Sequence, residues 1–132
     1  MNLENILITG SSGLVGAPLV TKLLNKSNLI VGIDPVINSE CNENYKHISI
    51  PLNSVEDVTN LLEKYDITKI IHTGGISGPM LANENPNIII ENNLFFTMYL
   101  IEAARICKKI NRFIFCSSVS AYGELAESDT TE

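Results

Sequence analysis

The stretch Ile6-Leu7-Ile8-Thr9-Gly10-Ser11-Ser12-Gly13-Leu14-Val15-Gly16 decides the fold. Its first three residues form a short continuous apolar run, as a strand buried on both faces requires. Gly10 to Gly16 is a glycine-rich turn. Beyond it Val15, Leu19, Val20, Leu23 and Leu24 recur at helical spacing, with Lys22 and Lys26 near the end, where cations suit the helix dipole. Pro18 is expected to kink this helix or remove one hydrogen bond.

Working outward, the same alternation continues. Leu29 to Ile33 reads as a second strand ending at Asp34-Pro35, and His47 to Ile50 as a short third. Ser54 followed by Asp57 resembles a capping box, and Val55, Val58, Leu61, Leu62 and Tyr65 make one apolar helix face. Lys69 to Thr73 is the fourth strand. Asn85-Pro86 starts a helix expected to run to about Lys109, and Arg112 to Ser117 is the fifth strand. The order β-α-β-β-α-β-α-β with continuous apolar strands predicts an α/β chain. Its form is a Rossmann-type doubly wound parallel sheet of about five strands, with helices on both faces. One domain over 1–132 is expected, with an acidic tail at 124–132.

The turn also suggests a ligand. Gly10 would permit the tight turn, Gly13 would let the backbone approach a pyrophosphate, and Gly16 would allow close helix–strand packing. Free N–H groups at the helix start would hold the diphosphate. The spacing of the glycines differs from GxGxxG, so context carries the reading: strand, turn, helix, strand, acid. Asp34 lies 24 residues after Gly10, near the roughly 20 expected of an acid that accepts a ribose 2′-hydroxyl. No Arg or Lys occurs between Asp34 and Lys46 to attract a 2′-phosphate, so NAD is favoured over NADP. A P-loop is excluded, because Ala17-Pro18 stands where Lys-Ser/Thr would be required.

Composition narrows the remaining classes. The chain has 132 residues, 45% hydrophobic and 18% charged, which excludes a disordered chain. Net charge is −6, but Glu124, Glu127, Asp129 and Glu132 lie in the last nine residues, and without those four it is −2. No basic stripe exists to bind nucleic acid or an anionic membrane. Apolar runs fall far short of the roughly 20 residues of a membrane span, and Asn2-Leu3-Glu4-Asn5 does not look like a secretory leader. Cys41, Cys107 and Cys116 form no CxxC, so no zinc site or disulfide framework is indicated, and a cytoplasmic location is expected.

Thr-Gly-x-x-Gly-x-x-Gly at residues 9–16 resembles the signature of the extended short-chain dehydrogenase/reductases, in the NAD-dependent sugar epimerase/dehydratase group to which UDP-glucose 4-epimerase belongs. Four further stretches agree in order. Asp34 matches the ribose-binding acid, and Ile71-His72-Thr73-Gly74-Gly75 resembles the turn beside the cofactor. Asn93-Leu94 matches the Asn-Val of the long helix, and Phe113 to Gly123 is similar to the segment bearing the catalytic Ser/Thr. The resemblance implies a cofactor set of Gly10, Ser12, Gly13, Leu14, Val15, Gly16, Asp34, Leu52, Thr73, Gly74, Gly75, Asn93 and Ser117. It makes Ser118 the catalytic hydroxyl, which bonds the reacting sugar oxygen, puts Tyr122 on the substrate side, and leaves His72 a structural role.

Some residues depart from that pattern. The family's base is a Tyr with a Lys four residues on, in a helix expected beyond Glu132, so these 132 residues alone are expected to be inactive. Tyr65 and Lys69 have that spacing but join a helix end to a strand start, and they read as a decoy. Pro51 stands where the family has an Asp for the adenine amino group, leaving Ser49 or backbone groups to substitute. His-x-Gly-Gly resembles the sugar-acid dehydrogenases of the group. Two functions remain open from the sequence: the NAD-binding part of a sugar or nucleotide-sugar epimerase, dehydratase or dehydrogenase, or a non-catalytic NAD-binding module. Apolar residues cover most of the helix 86–109, and the resemblance implies pairing through it. A homodimer built on Phe95, Phe96, Met98 and Tyr99 is therefore expected.

Overall fold

The computed structural model describes residues 4–37, 42–76, 85–118 and 121. Tyr122, Cys41 and the acidic tail lie outside them. Five strands are present: β1 (Asn5–Thr9), β2 (Leu29–Ile33), β3 (Tyr45–Ile48), β4 (Lys69–His72) and β5 (Arg112–Phe115). They form one sheet in the order β3-β2-β1-β4-β5, every pair parallel. Helix α1 (Gly16–Leu23) joins β1 to β2, and α2 (Val55–Lys64) joins β3 to β4. Before β5 come α3 (Asn87–Ile89), a π-helical segment (Ile90–Phe95) and α4 (Phe96–Ile106).

Alternate residues of each strand feed two cores. On one face Leu7, Val31, Ile33 and Ile70 are buried beneath Val58, Leu61 and Leu62 of α2 and Leu100 and Ala103 of α4. On the other, Ile6, Ile8 and Ile30 pack against Val20 of α1 and Leu24 just beyond it. Each fully buried Leu, Ile or Val contributes roughly 1.5–3 kcal/mol. The sheet is therefore doubly wound, and no helix among the described residues is long and apolar enough to cross a membrane.

Local signals account for the ends of the elements. Ser54 caps α2 by accepting the Asp57 N–H at 3.0 Å, and the Asp57 carboxylate reaches back to the Asn53 N–H at 3.1 Å. The capping box thus closes one residue earlier than its usual form. Asp66 leaves α2 in the left-handed region, with φ of 50°.

Several expected boundaries move. Strand β3 covers Tyr45–Ile48 rather than His47 to Ile50, because it pairs residue for residue with Ile30–Ile33 and stops where β2 stops. Strands β4 and β5 end together at the pair His72 and Phe115, so Thr73 and Ser117 lie past the strands rather than in them. Pro18 is the third residue of α1, between the N–H groups of Ala17 and Leu19, which donate to the Gly13 and Val15 carbonyls at 3.0 and 3.4 Å, so the proline removes one hydrogen bond of the series, as expected. Tyr65 caps the C-terminus of α2, while Lys69 opens β4 and pairs with Glu4, so the two join a helix end to a strand start, as expected.

The helix expected over 86–109 runs unbroken from Asn87 to Ile106 but is not α-helical throughout. Its π-helical segment closes i→i+5 bonds and shifts the phase of the apolar face. Phe96 and Tyr99 consequently pack on the α2–α4 core, while Ile90, Leu94, Phe95, Met98 and Ile101 stay exposed. This corrects the expectation that Phe96 and Tyr99 belong to the exposed face.

Candidate cofactor-binding site

The glycine turn is built for close approach. Gly10 has φ of 66°, and a Cβ there would stand 2.7 Å from the Cα of Gly74. A Cβ on Gly16 would stand 2.0 Å from the carbonyl oxygen of Gly10, so α1 can start this near β1 only with glycine. Gly13 is exposed, and a Cβ on it would meet only the Gly10 carbonyl oxygen, at 3.2 Å. Gly10 and Gly16 thus hold the turn together, and Gly13 keeps its outer surface low.

Helix α1 opens at Val15 without a side-chain cap, in contrast to α2. The first N–H groups of a helix lack intrahelical acceptors and carry the positive end of its dipole. Leu14 beside them is 95% exposed. An uncapped, positively polarised helix start with an apolar side chain standing over it suits an anionic ligand with apolar flanks.

Asp34 follows β2 directly. Its Oδ2 accepts the Ser12 N–H at 3.1 Å and its Oδ1 the Val36 N–H at 2.9 Å, while the Ser12 hydroxyl donates to the Val36 carbonyl at 2.6 Å. These bonds aim the carboxylate and leave a lone pair on each oxygen for a further donor. His47 braces the same corner, its Nε2 donating to the Asp34 carbonyl at 3.0 Å.

These groups border a cleft of about 1120 Å³ across the C-terminal ends of β1, β2, β3 and β4, where ligands of open α/β sheets bind. Gly10, Gly13, Leu14, Val15, Gly16, Asp34, Leu52, Thr73, Gly74 and Gly75 line it. Ser49 and Pro51 line the β3 end, with no carboxylate from 49 to 53.

Four expected residues do not line the cleft. Ser12 spends its N–H on Asp34 and its hydroxyl proton on the Val36 carbonyl. Asn93 spends both ends of its amide on Ile76: Oδ1 accepts the Ile76 N–H at 2.7 Å and Nδ2 donates to its carbonyl at 2.8 Å. Ser117 and Ser118 are exposed beyond β5, where the Ser118 carbonyl accepts the Ala121 N–H at 3.0 Å. Sequence reading missed the opposite wall of Glu91, Asn92, Phe95, Phe96 and Tyr99, which a helical period cannot reveal without knowing the π-helical shift. It also missed Gly32, where a Cβ would stand 2.3 Å from the Tyr45 hydroxyl.

His72 is structural, as expected. It is 1% exposed, stacked on Phe115 at 5.3 Å and edge-on to Phe96 at 5.8 Å. Burial lowers its pKa to about 4, so the ring is neutral at pH 7.

The family model of the NAD dependent epimerase/dehydratase family matches residues 6–132. The chain belongs to that family. NAD is the cofactor of its members, and the fold expected from the glycine turn is theirs. The chain is 30% identical to UDP-glucose 4-epimerase of Pisum sativum over 92% of its length and 38% of the pea protein's. It also superposes on UDP-N-acetylglucosamine 4-epimerase from Methanobrevibacter ruminantium M1 with a TM-score of 0.82 and 23% identity. That match covers the whole chain and 43% of the other. A variant of uronate dehydrogenase from Agrobacterium tumefaciens, complexed with NAD, gives a TM-score of 0.71 at 24% identity, over 88% of this chain and 41% of that one. The chain thus spans about two-fifths of the length of these relatives.

Proposed function

We propose that this chain is the NAD-binding part of a sugar or nucleotide-sugar epimerase, dehydratase or dehydrogenase. The observation that carries the reading is the Asp34 carboxylate, held by two backbone N–H groups beside an uncapped helix start. In this reading Asp34 accepts the adenosine ribose hydroxyls, the N–H groups of Leu14, Val15 and Gly16 at the start of α1 hold the diphosphate, and loop 73–76 supports the second half of the dinucleotide. When bound, NAD supplies a hydride acceptor and donor for a sugar carbon. Ser118 is assigned to hydrogen-bond the reacting sugar oxygen, with Ser117 in support. Pea UDP-glucose 4-epimerase and the methanogen enzyme support a nucleotide sugar as the substrate class. Self-association through the exposed residues of 90–101 belongs to the same proposal.

The test is calorimetric titration with NAD and NADP. NAD is expected to bind and NADP to bind at least about tenfold more weakly, since a 2′-phosphate would meet the Asp34 carboxylate. Equal affinities would remove Asp34 from its assigned place.

A further inference from the structure

One chain of hydrogen bonds begins and ends on the loop that follows β4. The Gly74 N–H donates to Thr9 Oγ1 at 3.0 Å. Thr9 Oγ1 lies 2.6 Å from His72 Nδ1, and His72 Nε2 lies 2.8 Å from Thr97 Oγ1. Thr97 donates its one hydroxyl proton to the Asn93 carbonyl at 2.7 Å, so its oxygen can only accept from the imidazole. Nε2 therefore carries the ring proton, Nδ1 accepts, and Thr9 donates to it. Asn93 completes the circuit through its paired bonds to Ile76.

We propose that His72, as the neutral Nε2–H tautomer, is a positioning residue that fixes loop 74–76 and so sets how tightly the cleft holds the nicotinamide half of NAD. This rests on the NAD reading above. Geometry points to that half because β1 stands between β2 and β4 in the sheet. A dinucleotide with its ribose at Asp34 and its diphosphate over the glycine turn must extend across Thr73, Gly74 and Gly75. Every bond in the circuit has one direction, since each hydroxyl has a single proton and each proton a single acceptor. Reversing the imidazole would aim an N–H at Thr9, leaving the Thr9 proton without its acceptor. It would also face a bare ring nitrogen with the oxygen of Thr97, whose proton is already spent. Buried unpaired groups of this kind are costly, so the circuit forms as a whole or fails as a whole. The depressed basicity of the buried ring keeps it in the required neutral form.

Thr97→Val tests the circuit, because it keeps the side-chain shape and removes the oxygen; Thr97→Ser restores the oxygen. NAD and ADP are titrated into the whole chain and both variants. NAD is expected to bind the unaltered chain more tightly than ADP does. Thr97→Val should weaken NAD about tenfold and leave ADP within about twofold, and Thr97→Ser should restore NAD. Unchanged NAD affinity in Thr97→Val, or equal losses of NAD and ADP, would overturn the proposal. A chain that binds neither nucleotide would instead sink the NAD reading itself. Should Thr97→Val not fold, nitrogen NMR of the His72 ring in the unliganded chain decides. A protonated Nε2 and bare Nδ1 at pH 7 are required, and the reverse tautomer or a charged ring refutes the assignment.

Discussion

The backbone N–H of Ser12, in the glycine turn after β1, points at Oδ2 of Asp34, the residue that follows β2, across 3.1 Å. The turn and the acid are thereby one rigid corner, although 22 residues separate them. Asp34→Ala removes both the proposed ribose acceptor and the brace on Ser12. We expect it to weaken NAD by about 1.5–3 kcal/mol, the worth of a charge-assisted hydrogen bond. Calorimetry would show this, and an unchanged affinity would contradict it.

The glycines of the turn should separate by role. Gly16→Ala places a methyl 2.0 Å from the Gly10 carbonyl oxygen and should destabilise the fold by about 1–3 kcal/mol or more. Gly13→Ala meets only a 3.2 Å contact on an exposed surface. It should leave the urea midpoint nearly unchanged while lowering NAD affinity. If both variants lose stability equally, Gly13 is not the open side of the turn.

His72 predicts an acid-sensitive fold. The unfolded ring takes up its proton near pH 6.5, while burial holds the native value to about 4. Between those values the unfolded chain binds more protons, so stability is full above pH 6.5 and falls as pH drops toward 4. The loss approaches about 3 kcal/mol and stops growing below the native value. Urea unfolding of the chain and of His72→Gln across this window isolates the contribution. Identical pH slopes would mean the ring titrates normally.

The exposed apolar residues of 90–101 should drive self-association. Met98 and Ile101 are each 53% exposed, and contiguous apolar patches of this kind mark interfaces. The double substitution Met98→Glu with Ile101→Glu is expected to yield a monomer from a dimer or larger species in light scattering. A monomer before substitution, independent of concentration, would count against the proposal.

Much of this site was legible because its parts are local. The strand, the glycine turn and the uncapped helix are consecutive residues, and the acid comes at the end of the next strand. The capping box at Ser54 is local as well. Strand ends were not legible to the residue, because β3 takes its limits from β2, and β5 from β4. Nor was the role of Asn93, whose amide faces Ile76 rather than the cleft.

The sequence by itself determined the α/β alternation, the tight turn and the position of Asp34 along the chain. Backbone freedom at Gly10, apolar periodicity and helix capping act over a few residues. Tertiary structure decided the order β3-β2-β1-β4-β5 and the union of Ser12 with Asp34. It also decided the burial of His72 between Phe96 and Phe115, and the choice of Phe96 and Tyr99 over Phe95 and Met98 for the core. Those outcomes depend on contacts between residues far apart in the chain and on the phase shift of the π-helical segment. Hydrophobic burial rewards apolar area without direction, so only packing selects which faces meet.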